Sequence, residues 1–464
     1  MDRRTFMAGS ATATAGALAV FGGATPGSAE EAEEAGGTGS AGDHVRSVTA
    51  VTQVFGDGQK LVAVAVEYDS DIDGSTLSTS TFTVTDRTVT KVYANRTADL
   101  AQRGRDGRFV IVELSPDDTA AALWVTRQGS GTPPADGSGG GSGDSGGGAG
   151  AGGPVVGDTT PGGTIVAAKA TLTQSGTVTT TRGTRYAADG TARTTDAVVN
   201  LIVDDFRQFS FTDPATGQTL RYNLFVPKNH DRRKSYPLVL FMHDASLVNV
   251  ATEGPLVQGL GAVCWASPED QARHESFVLA PEYGSVVIDD NYEPSTLFEA
   301  TANLVRSVTE EYGIDPNRLY TTGQSMGAMM SLGLNIRYPE LFAAAFIVAG
   351  QWPASQAAPL AEKKLWILVS ADDTKAYPGE QAITEVIRDQ GTQVGTALWD
   401  GRSTAAEFAA DVRSMTAQRT PVNFAAFETG TVVPAGSTTS AHMATWQVAY
   451  TIPGIRDWIM RQSR

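Results

Sequence analysis

The spacing of apolar residues changes character once along this chain. Over residues 44–128 apolar and polar positions alternate with a period of two. Val62, Val64, Val66 and Tyr68 form one such run, Phe109, Ile111 and Val112 to Leu114 another, and residues 122–126 a third. Turn signals such as Gly56-Asp57-Gly58 and Asp106-Gly107 separate the runs, and no long amphipathic helix intervenes. This pattern predicts a β-sandwich. Residues 129–163 interrupt it: sixteen of the 50 glycines fall there, with Ser, Pro and Ala and almost nothing apolar to bury. Such a segment cannot offset its ordering entropy and is expected to be flexible. Strand-like patterning resumes at 165–172 and 198–203, so the stretch reads as a loop inserted within a β-domain spanning 44–205.

Beyond Asp213 strands alternate with helices. Strands are expected at 221–226, 238–242, 277–280, a run ending at 319–322, 344–348, 365–369 and 422–427, and a terminal helix over 455–461. A helix is expected from about Leu297, with Leu297, Ala300, Leu304 and Val308 on one face and Thr296 and Glu299 spaced as a capping box. Alternation of this kind predicts an α/β domain over 206–464, a mostly parallel sheet covered by helices on both faces.

The 464 residues are enough for two or three domains and an ample core. A formal charge of −16 argues against a nucleic-acid or anionic-membrane partner, since nothing here would collect phosphates. Cys264 is the only cysteine, so no intramolecular disulfide can form. Asp2-Arg3-Arg4-Thr5-Phe6-Met7, followed by an apolar Ala/Gly-rich run closing at Gly27-Ser28-Ala29, resembles a twin-arginine export signal. It predicts a leader over 1–29, a secreted protein, and a disordered spacer over 30–43. The run is too short and glycine-rich for a good membrane span, and no cysteine follows it, so no membrane anchor is expected.

Candidate chemistry centres on residues 319–330. A strand ending Leu319-Tyr320-Thr321-Thr322 runs into Gly323-Gln324-Ser325-Met326-Gly327 and then into a helix. That is G-x-S-x-G at a strand-to-helix junction, where the turn is so tight that glycines must flank the serine. Ser325 is therefore the expected nucleophile. It needs a base, and the base an orienting acid, which in this architecture follow in the order Ser, acid, His. His442 is the only histidine after Ser325, expected in a polar loop before the last helix. The loop after the strand at 365–369 supplies Asp372 and Asp373, of which Asp373 is favoured. Asp389, Asp400 and Asp411 have no strand end behind them. Two backbone donors for an oxyanion are expected, one at Met326 and the other in the loop after 238–242, where Ala245 is favoured over Asp244 and His243 braces the loop. Trp352 and Gln324 are the candidates for substrate contact, Trp352 reading equally well as a core or rim tryptophan. Trp265 and Trp446 read as packing residues, and Cys264 as a buried small hydrophobe.

Taken together, Met242-His243-Asp244-Ala245, Gly323-Gln324-Ser325-Met326-Gly327, Asp372-Asp373 and His442-x-x-x-Trp446 resemble the α/β-hydrolase superfamily. Within it the chain is similar to secreted esterases related to polyhydroxybutyrate depolymerases and feruloyl esterases, in the subgroup with an immunoglobulin-like N-terminal domain. The resemblance implies carboxylic-ester hydrolysis through an acyl-enzyme, without metal or cofactor, on a small-molecule or polymeric ester. One departure is the oxyanion loop, His-Asp-Ala-Ser where many relatives carry His-Gly-Gly or His-Gly-x-Gly. Two other readings share these residues: a prolyl-oligopeptidase-like serine peptidase, and a polymer-binding protein with a vestigial hydrolase domain.

Overall fold

The structure is a computed structural model that describes residues 44–126 and 153–464. The expected export signal, the spacer and most of the glycine-rich stretch lie outside the described residues.

The N-terminal part is built on a five-stranded sheet in the order Ala197–Asn200, Val45–Phe55, Gly58–Ile72, Gly107–Leu114, Val89–Asn95. Its pairings are antiparallel except the first, where Ala197–Asn200 runs parallel to Val45–Phe55. A three-stranded sheet of Ala192–Thr194, Thr171–Gln174 and Phe82–Val84 closes the sandwich. Val64, Val66, Tyr68, Val110 and Val112 share one core with Phe82, Val84 and Leu172 from the smaller sheet. Val64, Val66, Tyr68 and Val112 belong to the period-two runs, whereas Ile111 faces the other side of the sheet and packs there with Val51, Ala63, Ala65 and Tyr93. The single strand expected at 165–172 is instead two short ones, Gly163–Ile165 and Thr171–Gln174, in different sheets.

The far end of the glycine-rich stretch departs from the flexible-loop expectation. Gly157 N–H donates to Val286 O (3.0 Å), and Val286 N–H returns a bond to Asp158 O (2.8 Å). Gly162 N–H donates to Ser246 O (2.8 Å), and Asn249 Nδ2 to Thr159 O (3.1 Å). With so little to bury, this segment is held by backbone hydrogen bonds to the α/β domain, which composition alone does not announce.

The α/β domain carries a nine-stranded sheet in the order Phe206–Thr212, Thr219–Phe225, Phe277–Glu282, Leu238–Met242, Leu319–Gln324, Ala344–Val348, Leu365–Ser370, Val422–Phe427, Val394–Trp399. The first two strands join antiparallel and the remainder are parallel. Central strands such as Leu238–Met242 and Ala344–Val348 are buried at every position, as helices on both faces require. Two strands escaped the sequence reading, and both are edges: Phe206–Thr212 is largely exposed, and Val394–Trp399 leaves Leu398 60% exposed. Because the latter exists, Asp400 does follow a strand end; its carboxylate is engaged by Arg402.

The helix Thr296–Tyr312 buries Leu297, Ala300, Leu304 and Val308 as expected, but the capping box does not form. Ser295 is the N-cap, so Thr296 and Glu299 stand one position too far along, and the Thr296 hydroxyl accepts from Gln218 Nε2 instead (2.8 Å). Among the described residues no helix is long and apolar enough to cross a membrane.

Candidate active site

The carboxyl ends of three neighbouring or near-neighbouring strands, Leu238–Met242, Leu319–Gln324 and Leu365–Ser370, carry the site. Strand Leu319–Gln324 delivers Ser325 and passes directly into the helix Met326–Arg337. Ser325 sits at φ 52°, ψ −117°, a conformation that costs a non-glycine residue about 1–3 kcal/mol and marks functional turns. A Cβ at Gly323 would lie 2.4 Å from the Gly327 carbonyl carbon, and one at Gly327 1.9 Å from Met242 O. Only glycine permits this approach, and it leaves the serine half-buried with its hydroxyl directed at His442.

His442 Nε2 lies 2.9 Å from Ser325 Oγ, and His442 Nδ1 lies 2.5 Å from Asp373 Oδ2. His442 is not in a loop as expected: it is the second residue of the helix Ala441–Ala449, whose N-cap Ser440 accepts from Met443 N–H. One helical turn on, Trp446 sets its ring edgewise to the imidazole, 5.2 Å between centroids, and fixes its plane.

Asp373 follows strand Leu365–Ser370. Its Oδ1 accepts from Ala376 N–H (2.8 Å) and Lys375 N–H (3.1 Å), leaving Oδ2 for the imidazole. Burial works to raise this carboxyl's pKa, but the His442 hydrogen bond and charge, with the two amides, outweigh it and hold the pKa below the ordinary value. Asp372, the other candidate, points elsewhere and accepts from Gly430 N–H (2.6 Å).

The two expected oxyanion donors stand at element starts. Met326 N–H opens its helix, and Ala245 N–H opens the short 3₁₀ turn Ala245–Leu247, so neither has a partner within its own helix. His243 is fully buried: its Nε2 accepts from Tyr283 N–H (3.1 Å), which assigns the proton to Nδ1, donating to Asp244 O (2.7 Å). Burial pushes its pKa down, so it stays a neutral brace of the loop.

Neither expected substrate contact survives. Trp352 is 2% exposed, with Nε1 donating to Gln356 Oε1 and its ring edge against Tyr292. Gln324 is also 2% exposed and spends its amide on Asp244 and Gln258. The chain turns sharply at Ala349 (φ 51°) and carries Trp352 inward, which a residue count from the strand end cannot reveal. Cys264 is buried, and burial pushes its thiol up to about 12.

Glu380 was missed. It lies on the apolar face of the helix Ala376–Asp389, in register with Ala376, Ile383 and Ile387, and a carboxylate breaking that stripe was the available signal. Its Oε1 accepts from Gly350 N–H (3.0 Å) while Oε2 is buried without a partner. Burial, reinforced by the nearby Asp373 charge, raises its pKa well above the ordinary range. Its folded-state pKa is thus above its unfolded one, so its contribution to stability is complete below the unfolded pKa and is lost as pH rises through the folded pKa. Glu380→Gln, which cannot ionise, is therefore expected to gain in Tm relative to wild type as pH climbs from about 5 to about 9. A Tm difference independent of pH would show that Glu380 is ionised throughout.

Comparison with known proteins agrees with this architecture. Residues 47–187 match the family model described as the esterase Ig-like N-terminal domain, and residues 214–431 the one described as "Putative esterase". The crystal structure of a thermostable esterase superposes over 90% of this chain and 100% of its own, with a TM-score of 0.73 and 26% identity. Acetylxylan esterase A of Aspergillus ficuum is 47% identical over 49 residues, 11% of this chain and 16% of the fungal one. Poly(3-hydroxyalkanoate) depolymerase C of Paucimonas lemoignei is 25% identical over 177 residues, 36% of this chain and 40% of its own. The matches thus span less than half the length of these two curated relatives. The chain belongs with the esterases that place an Ig-like domain ahead of an α/β-hydrolase domain.

Proposed function

We propose that this protein is a serine carboxylesterase in which Ser325, His442 and Asp373 act as a triad. The observation that carries the reading is the unbroken hydrogen-bond path from Ser325 Oγ through both imidazole nitrogens to a buried carboxylate. Ser325 Oγ attacks the ester carbonyl carbon as its proton passes to His442 Nε2. The oxyanion formed lies against the Met326 and Ala245 N–H groups. The tetrahedral intermediate collapses, the C–O bond to the alcohol breaks, and His442 returns the proton to the leaving oxygen. Water then attacks the acyl-enzyme with His442 again as base, freeing the acid and Ser325. Asp373 stays ionised and keeps the Nδ1 proton in place.

The relatives' names favour polymeric esters as the substrate class, either acetyl groups carried on a polysaccharide or the backbone esters of a polyhydroxyalkanoate. The leader sequence favours export through the twin-arginine pathway; a chain with Arg3 and Arg4 both replaced by Lys should stay inside the producing cell. The decisive assay is turnover of chromogenic esters of increasing acyl length beside the matched anilide amides. Fast cleavage of short esters with amides untouched is expected. Preferential amide cleavage would reassign the chain as a peptidase, and no cleavage of either would leave a binding role.

A further inference from the structure

The oxyanion loop of this chain holds its shape without the glycines common at that position, and a closed ring of buried side chains accounts for it. Gln324 Nε2 donates both protons, to Asp244 Oδ2 (3.0 Å) and to Gln258 Oε1 (3.1 Å). Gln258 Nε2 donates to Ser246 Oγ (3.0 Å), and Ser246 donates its hydroxyl (2.5 Å) and its N–H (2.8 Å) to Asp244 Oδ1. Gln324, Asp244 and Gln258 are all more than nine-tenths buried. On the outer side the same loop is held by the Ig-like domain's segment, through Gly162 N–H to Ser246 O.

We propose that Gln324 and Asp244 are a positioning pair that sets the oxyanion hole, an inference that rests on the esterase reading above. The two donors belong to different segments, Met326 to the nucleophile's helix and Ala245 to the loop after strand Leu238–Met242. Gln324 stands two residues before Met326, and Asp244 one residue before Ala245, so their hydrogen bond is a short side-chain bridge between the donors. It fixes the gap into which the oxyanion must fit, where a displacement of about 1 Å costs roughly 100-fold in rate. The pair touches no substrate atom; it acts through the two backbone amides.

A polarity swap tests this. Gln324→Glu alone sets carboxylate against carboxylate and is expected to lower kcat by about 10- to 100-fold with KM nearly unchanged. Adding Asp244→Asn restores a donor facing an acceptor across the same gap, and the Gln258 amide can rotate to suit. The double variant is therefore expected to recover kcat to within about fivefold of wild type, a rescue that general loosening of the fold would not give. If Gln324→Glu does not fold, Gln324→Met, of similar length and without the amide, carries the same expected kcat loss. Wild-type kcat in the single variants, or a double variant whose losses simply add, overturns the inference. Absence of Ser325-dependent ester turnover in the wild type overturns the esterase reading and this inference together.

Discussion

Ser325→Ala is expected to reduce kcat for ester hydrolysis by at least about 10⁴-fold while leaving the protein folded. Only Oγ is removed. The atom makes one hydrogen bond, to His442 Nε2, and the imidazole remains held by Asp373 and braced by Trp446. Alanine at φ 52° carries the same backbone strain as serine, so the turn neither relaxes nor tightens. The side chain of His442 is 33% exposed, so water can replace the lost partner. Thermal unfolding should shift by no more than about 1 kcal/mol equivalent, the net worth of one hydrogen bond. Steady-state kinetics beside an unfolding curve check both halves. A variant that keeps more than about a hundredth of wild-type kcat removes Ser325 from the role of nucleophile.

How much of this was readable beforehand depended on whether the signal was local. The G-x-S-x-G turn was legible because its requirement is steric and confined to five residues, with two glycines where a Cβ cannot stand. His442 was identified by chain order, but its secondary structure was not. The first turn of Ala441–Ala449 is set by a Ser440 cap on a nine-residue helix, a weak signal beside the polar residues that precede it. The edge strands Phe206–Thr212 and Val394–Trp399 were lost because exposure removes the hydrophobic pattern on which strand reading depends.

Trp352 and Gln324 failed for another reason. Sequence places a residue near a strand end but does not say whether its side chain turns outward or into the core, and both turn in. The ring around Asp244 was illegible altogether. It joins residues 80 apart in the chain, Gln324 and Asp244, and 66 apart, Gln324 and Gln258, through contacts that only the folded sheet creates.

The choice between the two adjacent aspartates can be made by a substitution that changes one atom. Asp373→Asn is expected to lower kcat by about 10⁴-fold, and Asp372→Asn by less than about tenfold. The difference follows from what pins each carboxylate. Ala376 and Lys375 N–H groups both aim at Asp373 Oδ1, so an asparagine there must keep its oxygen in that position. Its NH₂ then faces His442 Nδ1, which becomes an acceptor, and the ring proton moves to Nε2. An imidazole protonated at Nε2 cannot take the Ser325 proton, although every heavy atom is in place. At Asp372 the carboxylate accepts from Gly430 N–H, and an asparagine oxygen can do the same without touching the imidazole. Kinetics of the two variants, with the nitrogen-bound ring protons of His442 followed by NMR, distinguish them. Equal losses in both would mean that the loop, rather than one carboxylate, carries the effect. A loss confined to Asp373→Asn, with the proton found on Nε2, assigns the effect to the tautomer.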